Sequence, residues 1–184
     1  MLLKRAQRGD ARAVDALLRL HYDSVHAVCS RIIINKSDAE DAVQMALISI
    51  VRALPSFDGR SKFSTWVYRI ATNAALDELR RISRRALPTG NDTVIDSAVA
   101  DATSSVDAQM DVTAALAQLP EDFRTVIVLR HIAELEYDEI ALVIDAPVGT
   151  VRSRLSRARA QLQELLGNQS DGAQRQNMQQ GDAP

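Results

Sequence analysis

The sequence predicts an all-α fold: two small helical domains joined by a flexible acidic linker, the second of them a helix-turn-helix domain. Three observations support this prediction. Apolar residues recur every three or four positions along most of the 184 residues, which is the spacing of helices that bury one face. The chain has only seven glycines and five prolines, whereas sandwiches and barrels need many turns. A stretch rich in aspartate separates two helical blocks.

The first block is assigned to residues 1–85 and begins with two helices. Gly9 predicts a break between a short first helix and a longer second helix that starts near Asp10. The single cysteine, Cys29, lies among the apolar positions of the second helix. Cys29 is therefore predicted to be a small buried hydrophobic residue, and a structural disulfide within the chain is excluded.

Two further helices complete the first block. Ser37 and Glu40 have the spacing of a capping box, which predicts a third helix that ends at Pro55. The polar loop "SFDGRSK" follows, and a helix is predicted over residues 63–85. The apolar residues of that helix lie mainly along one stripe, formed by Phe63, Trp66, Val67, Ile70, Ala74 and Leu79.

Residues 86–106 are assigned to the linker. From residue 86 to residue 115 the chain carries five aspartates and neither lysine nor arginine. Pro88, Gly90 and scattered serines and threonines favour an extended chain in the first part of this stretch. Helix is expected to resume near Asp107.

The second block, residues 107–167, contains two helices around a corner at Pro120, followed by a short helix with the sequence "YDEIALVI". The short helix is predicted to bury Ile140, Ala141 and Ile144. A tight turn follows at Asp145, where many helix-turn-helix proteins have glycine and where aspartate tolerates unusual backbone angles.

A long helix is predicted over residues 148–166, and the glutamine-rich residues 168–184 are predicted to be a disordered tail. Apolar residues spaced by three and four form the buried stripe of this helix, namely Val148, Val151, Leu155, Ala158, Leu162 and Leu165. Polar residues therefore lie off the stripe, namely Arg152, Ser153, Ser156, Arg157 and Arg159. A second helix with a basic outer face can enter the DNA major groove, and a solvated charged face is the alternative.

A second basic cluster occupies residues 60–85, where seven cations and two anions give a net charge of +5. Phe63, Trp66 and Tyr68 lie among these cations. Aromatic rings that stack on bases, next to cations that follow the backbone, are typical of single-stranded DNA binding. The alternative is that Trp66 and Phe63 belong to the hydrophobic core.

Composition and motifs restrict the functional class. The net charge of −2 means that any nucleic-acid surface is local. His21, His26 and His131 are scattered, and the chain shows no metal-ligand spacing, nucleophile elbow or phosphate loop, so neither an enzyme, a metal nor a cofactor is predicted. The sequence has no signal-peptide pattern and no apolar run of membrane-spanning length, which predicts a cytoplasmic protein.

Three stretches in order resemble the extracytoplasmic-function (ECF) sigma factors of bacterial RNA polymerase, in the sigma-70 family. "DAEDAVQMALISIVRALPSFDG" is similar to the helix that binds core polymerase and the loop after it. "FSTWVYRIATNAALDELRR" is similar to the helix that recognises the promoter −10 element. "LPEDFRTVIVLRHIAELEYDEIALVIDAPVGTVRSRLSRARAQL" resembles the helix-turn-helix that binds the −35 element.

The resemblance assigns roles to residues of this chain. It implies contacts with core polymerase by Glu40, Asp41, Gln44 and Arg52. It implies a pocket for a flipped base of the −10 strand, built by the loop from Asp58 to Phe63 and by Asn73. Together with the basic segment, the expected −10 residues are Asp58, Arg60, Lys62, Phe63, Trp66, Arg69, Asn73 and Arg80.

At the −35 element the resemblance implies base readout by Arg152, Ser153, Ser156 and Arg157, with Arg159 beside them and a phosphate contact from Arg130. The implied partners are core RNA polymerase, promoter DNA and an anti-sigma factor, and the acidic linker is expected to thread into polymerase. The predicted function is promoter recognition, melting and transcription initiation. The alternative is an autonomous helix-turn-helix transcriptional regulator, which the basic aromatic segment at residues 60–85 argues against.

Overall fold

The computed structural model describes residues 1–86 and 107–180, with side-chain surroundings for residues 1–85 and 112–166. All regular secondary structure in these ranges is helical, which confirms the predicted fold class. The predicted linker lies outside the described residues, apart from residue 86. Within the described ranges, no helix is both long enough and apolar enough to cross a membrane.

The break between the first two helices lies where it was predicted. Helix α1 spans Leu2–Gln7 and helix α2 spans Ala11–Ile32. Gly9 between them has a φ of 85°, a left-handed backbone angle that glycine adopts without strain. Asp10 is the N-cap of α2, and its carboxylate accepts a hydrogen bond from the backbone N–H of Ala13 at 3.1 Å.

Helix α3 spans Lys36–Ala53, and its N-terminus corrects the predicted capping box. The N-cap is Asn35, whose side-chain oxygen accepts a hydrogen bond from the backbone N–H of Asp38 at 3.1 Å. Asparagine is as good an N-cap as serine, so the helix starts before Ser37, and Ser37 and Glu40 both lie inside it. After α3 comes a 3₁₀ turn at Leu54–Ser56, and helix α4 spans Phe63–Ala86.

The second block contains α5 (Asp107–Gln118), α6 (Glu121–His131), α7 (Tyr137–Ile144) and α8 (Val148–Gln180). The helix α8 runs past residue 166, and the backbone of residues 168–180 is helical where disorder was predicted. This segment is rich in glutamine, a good helix former, and contains no proline before residue 184.

The core of the first block lies between α2, α3 and α4. Val28 and Cys29 on α2 are fully buried, which confirms the prediction for Cys29, and burial raises the pKa of its thiol to about 12. On α4 the buried line is Val67, Ala71 and Ala75, whereas the other members of the predicted stripe are partly buried against it. Small residues at these positions let α4 pack closely against α2 and α3.

The two helical blocks share one continuous hydrophobic core, a feature that the sequence did not predict. Helix α4 packs against α7, and α2 packs against α6. Arg124 of α6 reaches across the junction and donates a hydrogen bond to the carbonyl oxygen of Ile32 at 3.0 Å. The −10 helix and the helix-turn-helix of the sequence prediction are therefore in direct contact.

Candidate nucleic-acid interface

The long helix α8 presents a polar face built by helical periodicity. Val151, Leu155 and Ala158 are buried, as predicted, whereas Val148, Leu162 and Leu165 of the predicted stripe are partly buried. The predicted DNA-reading residues are all exposed, namely Arg152, Ser153, Ser156, Arg157 and Arg159. Their side chains are therefore accessible to a groove of duplex DNA.

Arg154, within the same arginine-rich stretch, has a different position. Its guanidinium donates a hydrogen bond to the carboxylate of Asp122 on α6 at 2.6 Å, and its side chain is mostly covered. Arg154 therefore links α8 to α6, and its side chain is less exposed than those of Arg152, Arg157 and Arg159.

Helices α7 and α8 form a helix-turn-helix with a short connection. Helix α7 begins with a capping box between Glu136 and Glu139, and it ends at Asp145 in the left-handed region with a φ of 50°. The buried face of α7 is Ile140 and Val143. The prediction of Ile140 is confirmed, whereas Ala141 and Ile144 are only partly buried, because the helix is turned so that Val143 faces the core.

Arg130, the predicted phosphate contact, is engaged within the domain. Its guanidinium donates hydrogen bonds to the carbonyl oxygen of Leu135 at 3.0 Å and to the carboxylate of Glu136 at 2.9 Å. It also lies 5.6 Å from the ring centre of Tyr137, within the range of a cation–π contact. Arg130 thus fixes the loop between α6 and α7, and its phosphate contact stays a prediction.

The loop before α4 is stabilised by its own polar groups. The Asp58 carboxylate accepts a hydrogen bond from the backbone N–H of Arg60 at 3.1 Å. Its other oxygen lies 2.9 Å from the Arg60 guanidinium. Gly59, with a φ of 76°, provides the backbone angle that this tight turn requires.

An aromatic cluster adjoins this loop. Phe57 lies 5.3 Å from Phe63 and 5.2 Å from Trp66, measured between ring centres, and His21 of α2 contacts Phe63 at 5.2 Å. Trp66 is half-buried, so its side chain packs against the core and remains partly accessible. Phe57 and His21 were not predicted from the sequence, although the spacing of Phe57 and Phe63 around "DGRSK" was a signal for a ring pair flanking a loop.

Helix α7 contacts part of the predicted −10 face. Glu139 Oε1 lies 3.0 Å from the Lys62 ammonium and accepts a hydrogen bond from the Thr65 hydroxyl at 3.2 Å. The backbone N–H of Glu136, followed by Lys62 and Thr65, lowers the pKa of the Glu139 carboxyl. Arg69 lines a cleft with the C-terminal end of α7. Glu139 was not singled out by the sequence analysis, since its partner lies far away in the sequence.

A second cleft, of about 830 Å³, runs between α3 and α4. It is lined by the predicted polymerase-binding residues Asp41 and Gln44 and by the predicted −10 residues Asn73 and Arg80. Asn73 follows Phe63 by ten residues, which is about 15 Å along the helix axis. The structure therefore groups Asn73 with the α3 surface, and its place in a pocket with the loop at residues 58–62 stays a prediction.

The exposed surface of α3 combines polar and apolar side chains. Glu40, Asp41, Gln44 and Arg52 are all exposed, as expected for a docking surface. Between them the large apolar side chains of Met45, Ile48 and Val51 are also exposed, and these three were not predicted from the sequence. The signal was present, because "VQMALISIVRAL" has more apolar residues than one buried helix face can hold.

Arg81 of α4, also missed, connects this surface to the −10 helix. Its guanidinium donates hydrogen bonds to Glu78 at 2.6 Å and to Asp41 at 3.3 Å. The Glu78 side chain is only 7% exposed, so Arg81 compensates a carboxylate that is largely removed from water. This pairing fixes the spacing between α3 and α4.

Comparisons with known proteins agree with this arrangement. The family described as Sigma-70 region 2 matches residues 17–85, and Sigma-70, region 4 matches residues 109–162. The RNA polymerase sigma-H factor of Pseudomonas aeruginosa is 37% identical over 179 residues, covering 90% of this chain and 92% of the relative. The ECF RNA polymerase sigma-E factor of Escherichia coli is 38% identical over 175 residues, covering 86% and 89%.

A solved structure has a similar fold. It is the sigma factor RpoE in complex with the anti-sigma factor NepR from Bartonella quintana, with a TM-score of 0.72 and 29% identity, covering 83% of this chain and 96% of that one. Both domains, their order and their sequences thus agree with one family of non-enzymatic transcription factors. The chain belongs to the ECF sigma factors of bacterial RNA polymerase, which bind core polymerase and direct it to promoters.

Proposed function

We propose that promoter recognition is divided between two surfaces of the chain, with α8 on the −35 duplex and the start of α4 on the unpaired −10 strand. One observation carries the −35 assignment: the residues that helical periodicity places off the buried stripe of α8 are exposed. Arginine forks can bind guanine edges or phosphates, and serines can contact either. Arg152, Ser153, Ser156 and Arg157 read bases, and Arg159 supports them.

At the −10 element, the loop at residues 58–62 and the rings beside it capture an unstacked base. Half-buried aromatic rings next to Lys62 and Arg69 offer stacking and backbone contacts. Because Asn73 and Arg80 lie further along α4, they contact a different nucleotide of the same strand. Extrusion of a base costs a few kcal/mol, and its capture offsets that cost during promoter opening.

The exposed surface of α3 docks on core polymerase. Exposed apolar residues surrounded by polar ones are typical of the centre and rim of a protein interface. Asp41 and Gln44 border the cleft that also holds Asn73, so polymerase docking and −10 binding are adjacent. The acidic linker threads into the polymerase, and the protein acts in the cytoplasm, where polymerase is found.

The chain is also proposed to bind an anti-sigma factor. The Bartonella quintana sigma factor with a similar fold was solved with such a partner. An anti-sigma factor that covers the α3 surface or the basic faces prevents docking or DNA binding.

Reconstituted transcription tests the proposed function. Promoters are identified by sequencing the DNA recovered with core polymerase and this protein, and initiation is then measured with purified components. We expect specific initiation only when both proteins are present, with weak binding of promoter duplex by the free protein. Tight sequence-specific duplex binding without polymerase would favour an autonomous regulator.

A further inference from the structure

The entrance of the base-capturing loop is held by a residue of the N-terminal helix. The side-chain amide of Gln7 donates hydrogen bonds to the carbonyl oxygens of Phe57 at 2.8 Å and Leu54 at 3.4 Å. Leu54 is the first residue of the 3₁₀ turn Leu54–Ser56 and Phe57 is the residue directly after it, and the chain then enters the loop at residues 58–62. A single side chain thus fixes both ends of the turn that leads into the loop.

Helix α1 also packs close to the other end of the loop, where α4 begins. Ala6, Ala13, Leu17 and Leu54 form a small hydrophobic cluster, distinct from the main core. Phe63, the first residue of α4, packs against this cluster together with partly buried leucines of α1. Helix α1 and the small cluster that it joins therefore contact residues on both sides of the loop.

The backbone that Gln7 holds also sets the position of the aromatic cluster. The Phe57 carbonyl is the stronger of its two contacts, and the Phe57 ring packs on Phe63 and Trp66. A site that discriminates between bases needs its polar groups held within about 0.5 Å of the productive geometry. The Gln7 amide supplies this restraint at the entrance, while the Asp58–Arg60 contacts organise the loop tip.

We propose that Gln7 is a positioning residue for base selection at the −10 element. It touches no DNA, and it acts by holding the Phe57 backbone so that the loop and rings accept one base. This inference rests on the proposed role of the loop. Gln7 precedes residues 17–85, which match Sigma-70 region 2, so the matched region does not contain this restraint.

Two substitutions remove the donor in different ways. Gln7→Leu keeps the apolar stem and deletes the amide, whereas Gln7→Glu keeps the shape and directs a carboxylate at two carbonyl oxygens. Arg5→Met is the matched control, because it removes the ion pair with Asp10 at 2.7 Å and so loosens α1 without touching the loop. Melting temperature and affinity for core polymerase are measured for all three variants.

Base preference is measured with holoenzyme and forked promoter DNA whose unpaired −10 strand is randomised. Sequencing of the bound fraction gives the enrichment of each base at each position. For both Gln7 variants we expect the enrichment to fall about threefold to tenfold at one −10 position, as the loss of one hydrogen bond predicts. Other −10 positions, the −35 preference and core binding stay unchanged.

Three outcomes would overturn this inference: parental enrichment in both Gln7 variants, a uniform loss at all −10 positions, or the same position-specific loss in Arg5→Met. The last two indicate a purely structural role of α1. A parent holoenzyme that initiates correctly but prefers no base at any −10 position would instead overturn the proposed role of the loop. A polymerase that never binds the parent protein would overturn the proposed function itself.

Discussion

The contact between Glu139 and the start of α4 predicts that the free protein partly blocks its own −10 surface. One carboxylate oxygen of Glu139 faces Lys62 and Thr65, and the other accepts a hydrogen bond from the backbone N–H of Glu136 at 3.1 Å. Glu139→Gln removes the negative charge and retains the shape and an acceptor oxygen. Single-stranded −10 DNA then competes with a weaker intramolecular partner for Lys62.

The size of the effect follows from exposure. The Lys62 side chain is 76% exposed and that of Glu139 is 22% exposed, so their ion pair is a surface pair worth about 0.2–1 kcal/mol. The Thr65 hydroxyl also loses a charged acceptor, and hydrogen bonds to charged groups are stronger than neutral ones by about 1 kcal/mol. That second change concerns a buried hydroxyl, so the affinity for DNA follows the Lys62 pair alone, and the upper value of that pair, about 1 kcal/mol, is about a fivefold change in affinity.

The assay is fluorescence anisotropy with a labelled single-stranded oligonucleotide carrying the −10 sequence selected by the holoenzyme. We expect Glu139→Gln to bind it about fivefold more tightly than the parent, whereas Glu164→Gln, an exposed charge change on α8, stays within twofold. Circular dichroism checks that α7 remains helical. If Glu139→Gln binds the oligonucleotide no more tightly than Glu164→Gln does, Glu139 does not compete with DNA for this surface.

Arg157→Ala should cost about 1–3 kcal/mol at one −35 base pair without changing the melting temperature, whereas Arg154→Ala should lower the melting temperature; transcription from promoter variants and thermal unfolding separate the two. Arg81→Met should lower the melting temperature by several degrees because it leaves Glu78 without its cation, and the double variant with Glu78→Leu should regain part of the loss. Burial lowers the pKa of His21 from 6.5, so the unfolded chain binds more protons than the folded chain when the pH falls. The contribution of His21 to the free energy of unfolding is therefore complete above pH 6.5 and is lost as the pH drops below it. His21→Gln should reduce this pH dependence of stability in urea titrations.

The sequence by itself determined which stretches are helical and which faces of the helices are polar. Helical period is a local property: apolar residues three and four apart share one side, and the residues between them must face elsewhere. This is why the exposed set on α8, the break at Gly9 and the short α7 were all predictable. The wrong capping box at Ser37 shows the limit of local signals, because Asn35 two residues earlier offered an equally good cap.

Only the tertiary structure decided which distant residues meet. Gln7 lies 50 residues from the carbonyl it holds, and Glu139 lies 74 residues from Thr65. Asn73 has the right chemistry for a base contact, and only the packing of α4 shows that it lines a cleft beside α3. Sequence periodicity orients a side chain about its own helix axis, but the packing of helices against each other determines its partner.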